Sequence, residues 1–93
     1  MDNSPETKTL ASCIDVLENE KLKDITFPFE KISDIASISQ YPNIELIALQ
    51  YNLLKELREV ETCSKLIQLN VSHNKIKKID ALRNLKNLKI LNI

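Results

Sequence analysis

The stretch Ile44-Glu45-Leu46-Ile47-Ala48-Leu49-Gln50-Tyr51-Asn52-Leu53-Leu54-Lys55-Glu56-Leu57 lies over Leu66-Ile67-Gln68-Leu69-Asn70-Val71-Ser72-His73-Asn74-Lys75-Ile76-Lys77-Lys78-Ile79 at an offset of 22 residues. The apolar pairs Ile44/Leu66, Ile47/Leu69, Leu49/Val71, Leu54/Ile76 and Leu57/Ile79 coincide, and so do the asparagines Asn52 and Asn74. One more step of 22 lands on Leu88, Leu91 and Ile93, and one step back lands on Leu22, Ile25, Phe27, Ile32 and Ile35. Two further columns, Ile38/Val60/Leu82 and Tyr41/Cys63/Leu85, keep the same register. About eight columns holding over three steps is the signature of a repeat architecture.

Within each unit the period changes. Ile47 and Leu49, like Leu69 and Val71, alternate as in a strand with one buried face. The following apolar positions recur every third residue (Leu54, Leu57, Val60, Cys63; then Ile76, Ile79, Leu82, Leu85). That spacing suits a 3-10 segment, whose side chains align every third residue. Asn52 and Asn74 are expected to turn inward and bond the backbone of neighbouring coils as a structural ladder.

The pattern L-x-x-L-x-L-x-x-N-x-L-x-x-L resembles the leucine-rich repeat, and residues 22–93 carry it. The 22-residue period is similar to that of the intracellular phosphatase-regulator class. The acidic segment ahead of Phe29-Glu30-Lys31-Ile32 is also similar to axonemal dynein light-chain members. The resemblance implies an α/β solenoid: a short parallel β-sheet on a concave face, 3-10 or helical turns on the convex face, and coils at residues 22–43, 44–65, 66–87 and, in part, 88–93.

Residues 1–21 are expected to form an N-terminal capping helix. Ser4-Pro5-Glu6-Thr7 reads as a helix start, and Leu10, Cys13, Ile14 and Leu17 follow at helical spacing. In the first coil Glu30 replaces the asparagine and is expected to reach solvent, while Pro28 points to an edge strand. At the other end, the last residue falls inside the fourth strand. The reading here is a fragment or the ordered part of a longer chain, with a self-copy or another protein as the competing covers of the open end.

The 93 residues include 13 basic and 13 acidic side chains and no glycine. Phosphate-binding loops, dinucleotide fingerprints and the nucleophile elbow all need glycine and are therefore excluded. The repeat is expected to turn without any positive φ. Zero net charge argues against a polycation on nucleic acid or membrane. No apolar run approaches a membrane span of roughly 18 residues, and residues 1–8 are polar, so the expected setting is cytoplasmic, with a ciliary or cytoskeletal location following from the axonemal resemblance. Cys13, Cys63 and the single His73 fit no metal pattern, and the thiols read as small buried hydrophobes. No metal, cofactor or catalytic group is assigned, and enzymatic activity is not expected.

Charge is nonetheless split: residues 1–64 hold six basic against twelve acidic side chains, and residues 65–93 hold seven against one. Lys75, Lys77 and Lys78 read as a solvated face.

Parallel stacking would align the outward positions into columns: Asp24, Leu46, Gln68, Ile90; then Thr26, Ala48, Asn70, Asn92; then Pro28, Gln50, Ser72. The position before the asparagine gives Phe29, Tyr51 and His73, a stripe of planar rings about 5 Å apart. Aromatic and amide groups on a rigid face are typical interface anchors. Tyr51, His73, Gln50, Gln68, Asn70, Leu46 and Asn92 are therefore the candidate partner-binding residues, and the expected function is a non-catalytic protein–protein interaction module within a regulatory, scaffold or axonemal protein. Two rivals remain: an RNA-particle-associated subunit using the basic residues 75–89, and a purely structural role for the open end.

Overall fold

The computed structural model of the chain describes residues 6–14 and 21–93. Four three-residue strands recur at the sequence period: β2 (Asp24–Thr26), β4 (Leu46–Ala48), β5 (Gln68–Asn70) and β6 (Ile90–Asn92). They pair in parallel in the order β2-β4-β5-β6. The register runs without a slip, joining Ile25 to Ile47, Leu69 and Leu91. Parallel neighbours need a crossover connection, and here the rest of each 22-residue coil supplies it.

That connection is built on 3-10 turns at Ala36–Gln40, Arg58–Thr62 and Asp80–Asn84. Each opens on an i→i−3 bond, from the N–H of Ile38 to Ile35, of Val60 to Leu57, and of Leu82 to Ile79, all at 3.0 Å. Three residues per turn bring side chains three apart onto one line. Ile35, Ile38, Tyr41 and Ile44 are accordingly buried together, as are Leu57, Val60, Cys63 and Leu66. With the inward strand residues Ile25, Ile47 and Leu69, these form a single core.

Pro28 follows β2, which is an edge strand. The N–H groups of Phe27 and Phe29 bond the carbonyls of Ala48 and Gln50 at 3.0 and 3.4 Å. The residue between them, Pro28, needs no partner because it has no N–H to place.

The capping segment departs from expectation. Its described part holds a two-residue strand, β1 (Lys8–Thr9), and a 3-10 turn at Leu10–Cys13, in place of an α-helix. β1 pairs in parallel with β3 (Ile32–Asp34), and the Lys8 N–H bonds the Lys31 carbonyl at 2.9 Å. Backbone pairing to the first coil thus overrides the helical spacing of the apolar residues. Leu10 and Ile14 still enter the core. Ser4, Pro5 and Leu17 lie outside the described residues.

The reading that no position requires a positive φ is also corrected. Phe29, Lys31, Tyr51 and His73 have φ of 59°, 59°, 60° and 57°. In coils two and three the chain passes from an outward residue (Gln50, Ser72) to the inward asparagine through one left-handed residue. A non-glycine side chain there costs roughly 1–2 kcal/mol. At the C-terminal end Leu85 is buried and Ile76 and Leu82 are half-buried, while Ile79, Ile90, Leu91 and Ile93 are exposed.

Candidate functional site

The strand register assembles the outward columns in space. Asp24, Leu46, Gln68 and Ile90 are successive partners across the sheet, as are Thr26, Ala48, Asn70 and Asn92. Leu46, Gln68, Ala48, Asn70 and Gln50 are half-buried, whereas Asn92 is exposed. Ile90 is an apolar side chain 53% exposed on this face.

Two of the candidate amides behave differently from a free polar surface. The Oδ1 of Asn70 accepts from the Ser72 N–H at 3.1 Å and from its hydroxyl at 2.9 Å. Its carbonyl therefore brackets the turn, and its NH₂ is the part left for another molecule. Gln50 Oε1 is buried without a hydrogen-bond partner among the described residues. An orphaned buried acceptor costs roughly 1–3 kcal/mol.

The ring column is a stack. Phe29 and Tyr51 have centroids 4.4 Å apart with planes inclined by 10°, and Tyr51 and His73 have centroids 4.2 Å apart with planes inclined by 3°. This is closer than the strand spacing, since flat rings can lean together until their faces meet. Phe29 is 71% and Tyr51 44% exposed, and His73 is exposed. The left-handed φ at all three is what brings the rings into line. Sequence reading found the column but missed its backbone. The one available signal was three planar residues at a single phase of a turn lacking glycine.

Behind the rings run the asparagines. Asn52 Oδ1 accepts from the N–H groups of Glu30 (3.1 Å) and Ile32 (2.9 Å). Its Nδ2 donates to the carbonyls of Phe27 (2.9 Å), Leu49 (3.0 Å) and Gln50 (3.3 Å). Asn74 repeats this one coil later, accepting from Leu54 N–H at 2.9 Å and donating to Leu49, Val71 and Ser72 carbonyls at 2.9, 3.0 and 3.3 Å. Each amide therefore joins its own coil to the one before. Where Glu30 replaces asparagine, its side chain is 39% exposed, reaching solvent as expected, and meets Lys8 Nζ at 3.1 Å. That hydrogen bond, and then the charge of Glu30, hold the Lys8 ammonium above the ordinary lysine range.

Comparison with known proteins agrees with this geometry. The chain is 34% identical over 101 residues to the rat leucine-rich repeat-containing G-protein coupled receptor 5, covering 96% of this chain and 11% of the receptor. The human receptor of the same name is 33% identical over 97 residues, covering 91% of this chain and 11% of that protein. Among solved structures, an internalin of Listeria monocytogenes superimposes with a TM-score of 0.66 at 27% identity, covering 68% of this chain and 18% of the internalin. The chain folds as a leucine-rich repeat.

The leucine-rich repeat spans about a tenth of the length of the receptors it matches. No protein-family model matches it. No helix among its described residues is long and apolar enough to cross a membrane. Those residues also contain no cluster of three metal-ligating side chains. Cys63 is buried, and burial pushes its thiol up, only partly opposed by a hydrogen bond with Thr62. A buried neutral thiol is a poor nucleophile.

Proposed function

We propose that this leucine-rich repeat is a non-catalytic protein-interaction module whose partner lies against the outward, concave face of the sheet. The observation that carries the reading is the unslipped register, which sets Leu46, Gln68, Asn70 and Asn92 into fixed neighbouring columns beside the Tyr51–His73 stack. Leu46 and Ile90 face outward, where the repeat's own core does not use them. They provide apolar contacts on either side of Gln68, and the Asn70 NH₂ supplies a polar contact beside them.

The 22-residue coil and its 3-10 turns support placement in the phosphatase-regulator-like class, as part of a regulatory or scaffold protein. The two free thiols fit a cytoplasmic setting. The small Ala48 and paired Asn70 positions leave room for a partner helix or loop.

The test is affinity capture from the source cell, with the bound protein identified by mass spectrometry and then measured against purified variants. Tyr51→Ala combined with Gln68→Ala is expected to abolish capture while the far-ultraviolet spectrum stays native. Retention of capture in that variant, with loss on Ile93→Asp, would transfer the interface to the end of the solenoid.

A further inference from the structure

The lysines after the ring column are not an evenly solvated face. Lys31 follows Phe29 by two residues, and Lys75 follows His73 by two. Lys55 and Lys77 follow Tyr51 and His73 by four. The coils bring these segments side by side. Leu53 N–H bonds the Ile32 carbonyl, Lys75 N–H that of Leu54, and Lys77 N–H that of Lys55, at 2.8, 2.8 and 3.3 Å. One flank of the solenoid, the exit side of the sheet, therefore gathers Lys31, Lys55, Lys75, Lys77 and Lys78.

All five are exposed, and none makes an ion pair among the described residues. The nearby carboxylates are already engaged. Asp34 Oδ1 accepts from the Ala36 N–H at 2.8 Å, Glu56 lies 3.4 Å from Arg58, Glu30 is paired with Lys8, and in the groove beside Lys78 Asp80 lies 3.9 Å from Arg83 and Glu61 accepts from Asn84 Nδ2 at 3.0 Å. Lys55 and Lys77 stand one coil apart and Lys31 and Lys75 two coils apart, and cations grouped on one flank attract anions more strongly than scattered ones do.

The ring stack adds an independent observation of the same sign. An aromatic ring carries negative potential on its faces and positive potential around its edge. Face-to-face stacking of Phe29, Tyr51 and His73 uses the faces against one another, so the column presents mainly edges to solvent. A line of ring edges, with the Tyr51 hydroxyl and a histidine N–H among them, favours carboxylates. It favours nucleic acid less, because bases bind by stacking on open ring faces and only the outer faces of the end rings Phe29 and His73 remain. Of the inner faces, none is open.

We propose that this flank is a docking surface for an acidic segment of a protein partner, with carboxylates set between the lysine row and the ring edges. The lysines lie beside the sheet and not on it, and the flank shares only the ring stack with the proposed concave interface.

The probe is a fluorescein-labelled hexaglutamate peptide, followed by anisotropy and by amide NMR shifts of the full chain, with hexaglutamine and hexauridylate as the comparison ligands. Hexaglutamate is expected to bind with shifts centred on Tyr51, Lys55, Lys75 and Lys77. Binding should weaken as salt rises from about 0.05 M to about 0.2 M. Lys55→Glu with Lys77→Glu is expected to weaken it about tenfold. Tyr51→Asn, which keeps the left-handed backbone, is expected to weaken it as well.

Leu46→Asp, on the sheet face, should leave hexaglutamate binding unchanged, which separates this surface from the proposed concave interface. Equal affinity for hexaglutamate and hexaglutamine, or indifference to the charge reversal, overturns the proposal. Tighter binding of hexauridylate replaces the acidic protein segment with a nucleic acid.

Discussion

The Tyr51 ring lies 4.2 Å from the His73 ring and within 3° of parallel to it, and both residues hold a φ near +60°. The left-handed backbone is unfavourable for each, and the contact between their faces offsets part of that cost. A stacked aromatic pair contributes about 0.5–1.5 kcal/mol beyond its buried area. The backbone term is of the same order, roughly 1–2 kcal/mol per residue.

This balance separates two substitutions that would otherwise look alike. Tyr51→Ala removes both stacks and keeps the strained φ, so it is expected to destabilise the chain by about 2 kcal/mol. Tyr51→Gly removes the same stacks but relieves the strain, and should be the more stable of the two by about 1 kcal/mol. Urea denaturation of both variants measures the difference. If alanine proves the better replacement, the left-handed turn is not a source of strain.

The two inward asparagines should not be equivalent. Asn52 is 4% exposed and holds the N–H groups of both Glu30 and Ile32. Asn74 is less buried and accepts from Leu54 alone. With roughly 1–3 kcal/mol for each buried group left unpaired, Asn52→Ala is expected to cost about 3–5 kcal/mol and Asn74→Ala about 1–3. Equilibrium unfolding ranks them.

Strand neighbours on opposite faces give a direct check on which side is core. Leu69 is fully buried, and Leu69→Ala should cost about 2–5 kcal/mol. Leu46 is half-buried on the outward face, and Leu46→Ala should cost less than about 1.5 kcal/mol, since only part of its surface leaves water. Similar losses at both positions would mean that the outward face packs against something within the chain.

Cys63 provides a prediction in pH. Its thiol is raised from 9.0 because burial disfavours the thiolate. The stability that this neutral thiol contributes is fully present below the ordinary thiol value. It declines as pH rises past 9.0, where the unfolded chain ionises first. Cys63→Val should flatten that decline. In the native protein Ellman's reagent should titrate the half-buried Cys13 rapidly, with Cys63 reacting only after denaturant is added.

The repeat was legible because its signal is an equality between positions. Ile25, Ile47, Leu69 and Leu91 stand in one column of the sequence and are direct partners in the sheet. The 3-10 turns followed for the same reason, through the spacing of Leu57, Val60 and Cys63. The ring column was legible as an alignment of Phe29, Tyr51 and His73, but its left-handed backbone was not, because such turns are usually marked by glycine or asparagine. The segment ahead of the first coil was misread in its described part. Leu10 and Ile14 have helical spacing, yet Lys8 pairs with a strand that is distant in sequence, and no local pattern announces a partner of that kind. Asn70 looked like a free contact residue. Its bracket to Ser72 is a local turn visible only once the side chain is placed.

The backward reach of Asn52 and Asn74 has a consequence for how the chain comes apart. Each asparagine fastens the coil before it, so the amide protons of Ile32 and Leu54 are guarded by residues 20 positions later. Protection from solvent hydrogen exchange is therefore on loan from the following coil. Coils coupled only to their neighbours unravel sequentially. Opening of β6 and its coil that releases Asn74 would expose Leu54 next, and Ile32 only after Asn52 had gone, so the exchange rates along these coils would record the order of release.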